Sequence, residues 1–383
     1  MLKAKLITLL LLLTMVMMSL AGSTQSTASQ VPDATSPPGE MVLTTANANQ
    51  NVVLSQDDVL VIRLDANPST GYGWYPKGLT QGVLQQVGDP EFELLGEPGS
   101  AGIQVLRFVG VSEGEAPLEL VYMRPWEDEE PLVTYSVVVE SEGAYAGTYT
   151  APTLTTAPDL SEEAYAAPGL PSQFNYCAQM GGCTPVKNQG SCGSCWAFAA
   201  SGAFEQIIKF KDGVTRDLSE QHLVSCNRDG WGCNGGWCPF KYYVNVSDRS
   251  GSQPGAVYES TFPYVAADVA CRGPYPSHER GVSYREVGSS IAAIKQAIYE
   301  HGPVWAGVCA DAAMQRYSGG IFPGSCSTLN HAIVLYGWDD SQQIWYLRNS
   351  WGSGWGENGN MRIRYGGSGV GQRSTYISYP GTC

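Results

Sequence analysis

Gln189-Gly190-Ser191-Cys192-Gly193-Ser194-Cys195-Trp196-Ala197-Phe198 is a glycine-rich turn running into an apolar helical pattern that continues through Ala199, Ala203, Phe204, Ile207 and Ile208. The spacing predicts a helix from about Ser194 to Lys211, stopped by Asp212-Gly213, with Cys195 in its first turn. The unpaired N–H groups of that turn and the helix dipole favour a thiolate there. That turns an ordinary thiol of pKa ~8.5 into a strong nucleophile. Gln189, upstream, offers an amide donor for a developing oxyanion. The other reading of a cysteine in a tight turn is a disulfide. Cys192 suits that role, and two cysteines three residues apart rarely both need it, so Cys195 is read as the nucleophile.

A cysteine nucleophile needs a base within hydrogen-bond reach, and the base needs an orienting group. The chain has 4 histidines. His222 sits in a helical pattern and reads as a surface or packing residue. His278 lies in a proline-rich loop and His301 at a helix end, where either can be solvated. His331 opens an apolar strand, Ala332-Ile333-Val334-Leu335-Tyr336, rigid enough to hold an imidazole at a cleft edge. The following strand ends at Arg348-Asn349, so Asn349 can return beside His331 and accept from its ring N–H without adding charge. Trp351 or Trp355 can shield that bond from water.

The chain has 383 residues, enough for two domains. Residues 1–21 read as a signal peptide: Lys3 and Lys5, an apolar run from Leu6 to Met18 too short to span a bilayer, then Ser19-Leu20-Ala21. No membrane or lipid anchor is expected. The protein is expected to be secreted, where its 11 cysteines, all beyond residue 176, meet oxidising conditions. An odd count leaves one thiol unpaired within the chain. The net charge of −14 excludes nucleic acid and anionic membranes as expected partners. Between Glu40 and Glu140 there are 4 basic against 16 acidic side chains, and between Ser172 and Cys383 there are 16 against 15, which marks two domains.

Residues 22–39, rich in Ser, Thr, Ala and Pro, read as a disordered lead-in. Residues 40–140 carry short strand patterns with no helical period, for example Val59–Leu64, Gln104–Val109, Leu118–Tyr122 and Thr134–Val139, and predict an all-β, immunoglobulin-like sandwich. Residues 141–170 read as an Ala/Thr/Pro-rich linker of about 30 residues, open to nicking and reaching roughly 100 Å when extended. Beyond it the pattern is mixed α+β: a helix after Ser219, another over Ile291–Glu300, and strands over Val304–Val308, His331–Trp338, Ile344–Arg348 and Met361–Tyr365.

Three loops stand out in the sandwich: Asn67-Pro68-Ser69-Thr70-Gly71-Tyr72, the stretch from Gly96 to Gly102, and Arg124-Pro125-Trp126. In this order they resemble chagasin and related inhibitors of papain-like peptidases, with Ser69 where threonine is usual. The resemblance implies that these loops fill a peptidase cleft. Residues 171–383 resemble the papain family. Q-G-S-C-G-S-C-W-A-F, L-N-H-A-I-V-L and R-N-S-W-G-S-G-W-G-E-N-G come in the family's order, opened by L-P-S-Q-F and T-P-V-K-N-Q-G.

The papain resemblance implies a helical lobe facing a β-rich lobe with the site between them. It implies Cys195 as nucleophile, His331 as base and acid, Asn349 as orienter, and Gln189 with the Cys195 N–H as oxyanion hole. It also implies disulfides Cys192–Cys233 and Cys226–Cys271. Cys326 matches the first member of a third family disulfide, whose second place is taken by Gly371; Cys383 is one candidate substitute, and the pairing of Cys326, Cys383 and the additional Cys177, Cys183, Cys238 and Cys309 stays open. By alignment Trp237, Cys238, Gly307, Leu329 and Tyr376 line the pocket for the residue two before the cut. Tyr376 is expected to shorten this pocket. No cofactor or catalytic metal is expected.

The expected function is thus a secreted cysteine endopeptidase acting on proteins or peptides, with the sandwich standing in for a propeptide as inhibitor, in cis or in trans. The alternative is an unregulated peptidase whose sandwich is a binding or adhesion module.

Overall fold

The computed structural model describes residues 39–79, 82–94, 96–151 and 156–381. The expected signal peptide, most of the lead-in and Cys383 lie outside them.

The first nine strands form the sandwich: β1 (Glu40–Leu43), β2 (Asn51–Leu54), β3 (Val59–Ala66), β4 (Gly73–Lys77), β5 (Leu84–Gln86), β6 (Glu91–Leu94), β7 (Gly102–Gly110), β8 (Glu113–Met123) and β9 (Val133–Glu142). One sheet runs β1-β3-β7-β5 with β6 also on β7, and the other runs β2-β9-β8-β4. Their inner faces meet through Leu60, Ile62, Leu64, Leu106 and Phe108 against Leu118, Leu120, Val137 and Val139. The alternate residues of β3 and β7, Val59, Val61, Val105 and Val109, are buried too, because Tyr145 and Tyr149 fold back over that outer face. This is why the β3 segment is apolar on both faces instead of alternating.

The second half begins with α1 (Glu162–Tyr165), β10 (Gln173–Asn175) and α2 (Tyr176–Gln179). The long helix α3 (Cys195–Asp212) follows, then α4 (Glu220–Cys226) and α5 (Phe240–Val244). The remaining elements are β11 (Ser283–Val287), α6 (Ile291–His301), β12 (Val304–Val308), α7 (Ala312–Gln315), β13 (Ile321–Phe322), β14 (His331–Asp339), β15 (Ile344–Arg348), β16 (Asn360–Arg364) and β17 (Ser374–Ser378). Eight strands form one sheet in the order β11-β17-β12-β14-β15-β16-β13, with β10 on β14.

Strand β14 is buried along its whole length. Ala332 and Val334 face Trp196, Ala199, Ala203 and Ile207 of α3, while Ile333 and Leu335 face Ile294, Ile298, Trp345 and Leu347. A helix wrapped on nearly all sides is apolar nearly all round, as α3 is. Its end at Gly213, in left-handed conformation, follows the expected stop.

The region expected to be a free linker is tied down at both ends. Tyr145 N donates to Gly110 O (2.8 Å) and Ala146 N to Gln56 O (2.8 Å), on the sandwich. On the other side, Leu160, Tyr165 and Leu170 pack against the β-rich core, Gln343 Nε2 donates to Leu160 O (3.1 Å), and Lys295 Nζ to Tyr165 O (2.6 Å). Composition hid these anchors, since five aromatic or apolar side chains (Tyr145, Tyr149, Leu160, Tyr165 and Leu170) scattered among Ala, Thr and Pro carry no periodic signal.

Candidate active site

Cys195 is the first residue of α3, and Ser194, just before it, takes a non-helical backbone. The turn beneath is locked by Gly193 N donating to Cys233 O (2.8 Å) and by the Cys192–Cys233 disulfide. A second disulfide joins Cys226 and Cys271. Cys326 pairs with Cys309, not with a residue at the chain's end, and Cys177 with Cys183. The excursion between β12 and β14 returns to its start, which brings Cys309 to Cys326. Among the described residues two thiols are free, Cys195 and Cys238, where the odd count alone suggested one.

His331 is the first residue of β14 and Asn349 follows the last residue of the antiparallel β15, so the pairing sets them side by side. His331 Nε2 and Asn349 Oδ1 are 2.8 Å apart. Asn349 Oδ1 also accepts from Ser350 N (2.7 Å), so this atom is an acceptor and the imidazole proton sits on Nε2. Nδ1 is left as the free basic nitrogen, buried without a hydrogen bond. The Trp351 ring stacks on the imidazole at 5.0 Å and covers the bond to Asn349. Gln189 is turned by Ser350 Oγ, which donates to its Oε1 (2.7 Å), while its Nε2 donates to Cys192 O (2.9 Å). The other three histidines stay away: His222 bonds Asp248, His278 stacks on Tyr258, and His301 stacks on Tyr376.

The Cys195 thiol is fully buried against the backbone of Ala332 and the hydroxyl of Ser69. Burial pushes it up to about 12, with those two groups pulling the other way. Burial holds His331 down at about 4, opposed by the Asn349 bond and assisted by the Arg124 charge. Both shifts favour the neutral pair.

The cover is the sandwich. The turn Pro68–Thr70 is capped by Asn67, whose Oδ1 accepts from Ser69 N (3.2 Å) and Ser69 Oγ (2.7 Å). Ser69 O accepts from Trp351 Nε1 (2.7 Å). Arg124 is buried and spends its whole guanidinium: Nε and Nη2 donate to Thr70 O, Nη1 to Asn188 Oδ1 (2.8 Å) and Glu127, and Nη2 also to Gly190 O (3.0 Å). Its charge lies over the Tyr72 ring, and Trp126 stacks on Trp351 at 5.5 Å. In the loop from Gly96 to Gly102, Gly99 N donates to Asn330 O (2.8 Å), and Pro98 O accepts from Gly236 N (3.0 Å). Ala101 N donates to Asn234 Oδ1 (3.0 Å). Gly99 has φ +95°, and a β-carbon there would stand 2.2 Å from Gly193 O. The loop closes only because residue 99 has no side chain.

Of the expected subsite residues, Trp237 packs on Trp305 (5.1 Å), Cys238 lies beside Thr375, and a methyl on Gly307 would meet Leu329 at 2.9 Å. Tyr376 does not join them. On β17 alternate side chains take opposite faces, and Tyr376 and Ser378 turn to His301. Thr375 is the β17 residue on the Cys238 side, and sequence alignment could not foresee this because the face depends on strand register. Asn188, Gly190, Asn234, Gly236 and Asn330 were also missed. They serve through backbone or amide groups, and only the paired glycines after Cys233 hinted at a close approach.

The family model described as papain family cysteine protease matches residues 170–380. The chain belongs to the papain family of cysteine proteases. A second model, chagasin family peptidase inhibitor I42, matches residues 53–139. Papain of Carica papaya is 38% identical over 252 residues, covering 62% of this chain and 68% of papain. Ananain of Ananas comosus is 39% identical over 188 residues, covering 48% and 53%, so the chain spans about half of that relative. Among solved structures, procathepsin L2 proteinase from Tenebrio molitor larval midgut is 31% identical with a TM-score of 0.50, covering 55% of this chain and 68% of that one. The ragweed pollen allergen Amb a 11, a cysteine protease in its proform, is 28% identical with a TM-score of 0.51, covering 58% and 71%.

Proposed function

We propose that the chain is a secreted cysteine endopeptidase held latent in cis by its own chagasin-like domain. The observation that carries this reading is the complete burial of Cys195 beneath the three loops. With the loops withdrawn, the Cys195 thiolate attacks the scissile carbonyl and His331 Nδ1 holds the thiol's proton. Gln189 Nε2 and the Cys195 N–H meet the oxyanion. His331 returns the proton to the departing amine, and the thioester is then hydrolysed by water that His331 activates. Asn349 keeps the ring plane and tautomer throughout.

The loops resist cleavage for a geometric reason. Cys195 faces a tight turn, not an extended strand, and the Ser69 carbonyl is engaged by Trp351 instead of the oxyanion donors. Docking in cis needs little freedom: anchors at Ala146 and Ala157 leave a short connection. From Ala146 to Ala157 are eleven peptide units, at most about 40 Å. Tethering at that length gives an effective concentration of roughly millimolar or above.

The test is titration with an epoxide inactivator, reading the modified residue by mass spectrometry. One equivalent is expected on Cys195 after release of the sandwich and slow reaction before it. Modification of Cys238 alone would remove Cys195 from its role.

Latency is expected to be deepest in a plateau from about pH 6.5 to 9. His331, held at about 4 against an ordinary 6.5, refuses a proton that the opened form accepts, so its contribution is complete above 6.5 and fades toward pH 4. Cys195, held at about 12 against an ordinary 9, keeps a proton that the opened form releases, so its contribution is complete below 9 and fades above it. Transfer of the proton from sulfur to imidazole on opening conserves the pair's count and only widens the plateau. Opening rates that peak near pH 7.5 would contradict this account.

The pocket beside Trp237, Cys238, Gly307 and Leu329 is apolar, and Arg373 sits over the Trp237 ring at 5.2 Å. Without Tyr376 as a floor, Phe or Leu two before the cut is expected to give kcat/KM at least about ten-fold above Arg, since one apolar group is worth ~1–3 kcal/mol. A substrate panel led by Arg would contradict it.

A further inference from the structure

The two donors proposed for the oxyanion come from different segments. Gln189 Nε2 precedes the glycine-rich turn, and the Cys195 N–H belongs to the first residue of α3. Gln189 is tied to the β-rich half by its own N–H, which donates to Ser350 O (2.9 Å), and by Ser350 Oγ on its side chain. Its tie to the helix side is Tyr264, in the segment between α5 and β11. The Tyr264 hydroxyl donates to Gln189 O (2.8 Å) and lies 2.6 Å from Ser194 Oγ. A phenol has one hydrogen and a carbonyl only accepts, so Ser194 Oγ donates to the phenol oxygen. Burial pushes the phenol up, which keeps that hydrogen in place at neutral pH.

Ser194 is the N-cap of α3, yet its side chain caps nothing in the helix. A serine at that position ordinarily accepts from an N–H of the first turn. Here its hydroxyl is turned to Tyr264, and the N–H groups of Cys195 and Trp196 stay directed at the sulfur. The Tyr264 hydroxyl is itself aimed from a fixed frame. Tyr264 N donates to Glu259 Oε1 (2.7 Å), Val265 N donates to Gln221 Oε1 (2.9 Å), and the ring stands edge-on to Phe198 at 4.8 Å. None of these contacts needs the hydroxyl. We propose that Tyr264 is a positioning residue for the reaction: its one hydroxyl holds Gln189 to Ser194 and so fixes the spacing of the two donors that meet the oxyanion. The inference rests on the mechanism proposed above and adds a residue to it. Tyr264 acts through Gln189 and Ser194, and its effect is felt where charge develops on the carbonyl oxygen.

The test uses the full chain and reads two reactions of Cys195. Hydrolysis of a fluorogenic peptide amide with Phe two before the cut develops an oxyanion. Alkylation by iodoacetamide, followed by mass spectrometry, develops none. Both need an open cleft, so the ratio of kcat/KM to the alkylation rate does not depend on the open fraction. Tyr264→Phe keeps the ring and removes the hydroxyl. It is expected to lower kcat/KM about ten-fold, less than the loss of about 10²–10³ for a donor removed outright, with alkylation within about two-fold of wild type. In a Gln189→Ala background the same change is expected to cost at most about two-fold, since the donor it places is gone. An unchanged kcat/KM, an equal fall in both reactions, or the same loss in either background would overturn the positioning role and leave the peptidase reading standing. If Gln189→Ala does not slow hydrolysis, or Cys195→Ala does not abolish it, the proposed mechanism itself fails and takes this inference with it. Should Tyr264→Phe not fold, Ser194→Ala breaks the same bridge at its other end without removing a cap, is expected to move the same ratio, and decides alone.

Discussion

A chain that begins at Ala157 is expected to hydrolyse a peptide substrate on the order of 10³-fold faster than the full chain at the same concentration. The magnitude follows from tethering: an intrinsic affinity in the micromolar range against an effective concentration near millimolar leaves about one cleft in a thousand open. A half-buried Trp126 stacked on the buried Trp351, beside a buried Arg124 whose donors are all used, is the kind of contact that gives such affinity. The starting residue matters. Starting at Leu170 removes Leu160 and Tyr165 from the β-rich core and strips Lys295, whose side chain is fully buried, of its bond to Tyr165 O. An unsatisfied buried donor costs about 1–3 kcal/mol, so the shorter chain is expected to melt lower while still active. Equal rates for full chain and Ala157 chain at every concentration would end the proposal of latency and leave the sandwich as a separate binding module.

Cys195→Ala, made in the chain beginning at Ala157, is expected to lower kcat by at least about 10⁴-fold, the scale on which loss of a nucleophile is felt in such constellations. The substitution leaves the helix intact, since the first position of α3 makes no demand that alanine fails to meet. The loss therefore reports chemistry and not folding, which circular dichroism and the melting temperature check. The sandwich acts on the same atom twice over. Under the proposed latency it excludes substrate, and burial of both partners keeps sulfur and imidazole neutral, with the thiol held up and the imidazole held down. A variant retaining activity within ten-fold of the parent would place the nucleophile elsewhere.

Much of this molecule is written locally. The helix from Cys195 ends where Asp212-Gly213 says it should, because an apolar period and a left-handed glycine are both short-range signals. The strands holding His331 and Asn349 are equally legible, since adjacent antiparallel strands bring residues separated by a tight turn to the same edge. The papain family model matches residues 170–380, the stretch that carries these elements. The three loops of the sandwich were visible as motifs, and their order carried the likeness to an inhibitor.

Contacts made across long sequence separations were not legible. Tyr376 was assigned to a pocket whose wall is on the other face of its strand, because a one-residue choice of face is set by pairing with β12 and not by the residue itself. Cys326 found Cys309 because a chain excursion closes on itself. The Ala/Thr/Pro stretch read as free linker is pinned through isolated aromatic and apolar side chains whose partners lie in two different cores. Sequence alone thus determined the sandwich through its strand pattern and the second fold through its family motifs, and it singled out the residues proposed for the site through their type and placement. Only the tertiary structure decided that the cleft is closed and what closes it, because those depend on surfaces that meet only after each domain has folded.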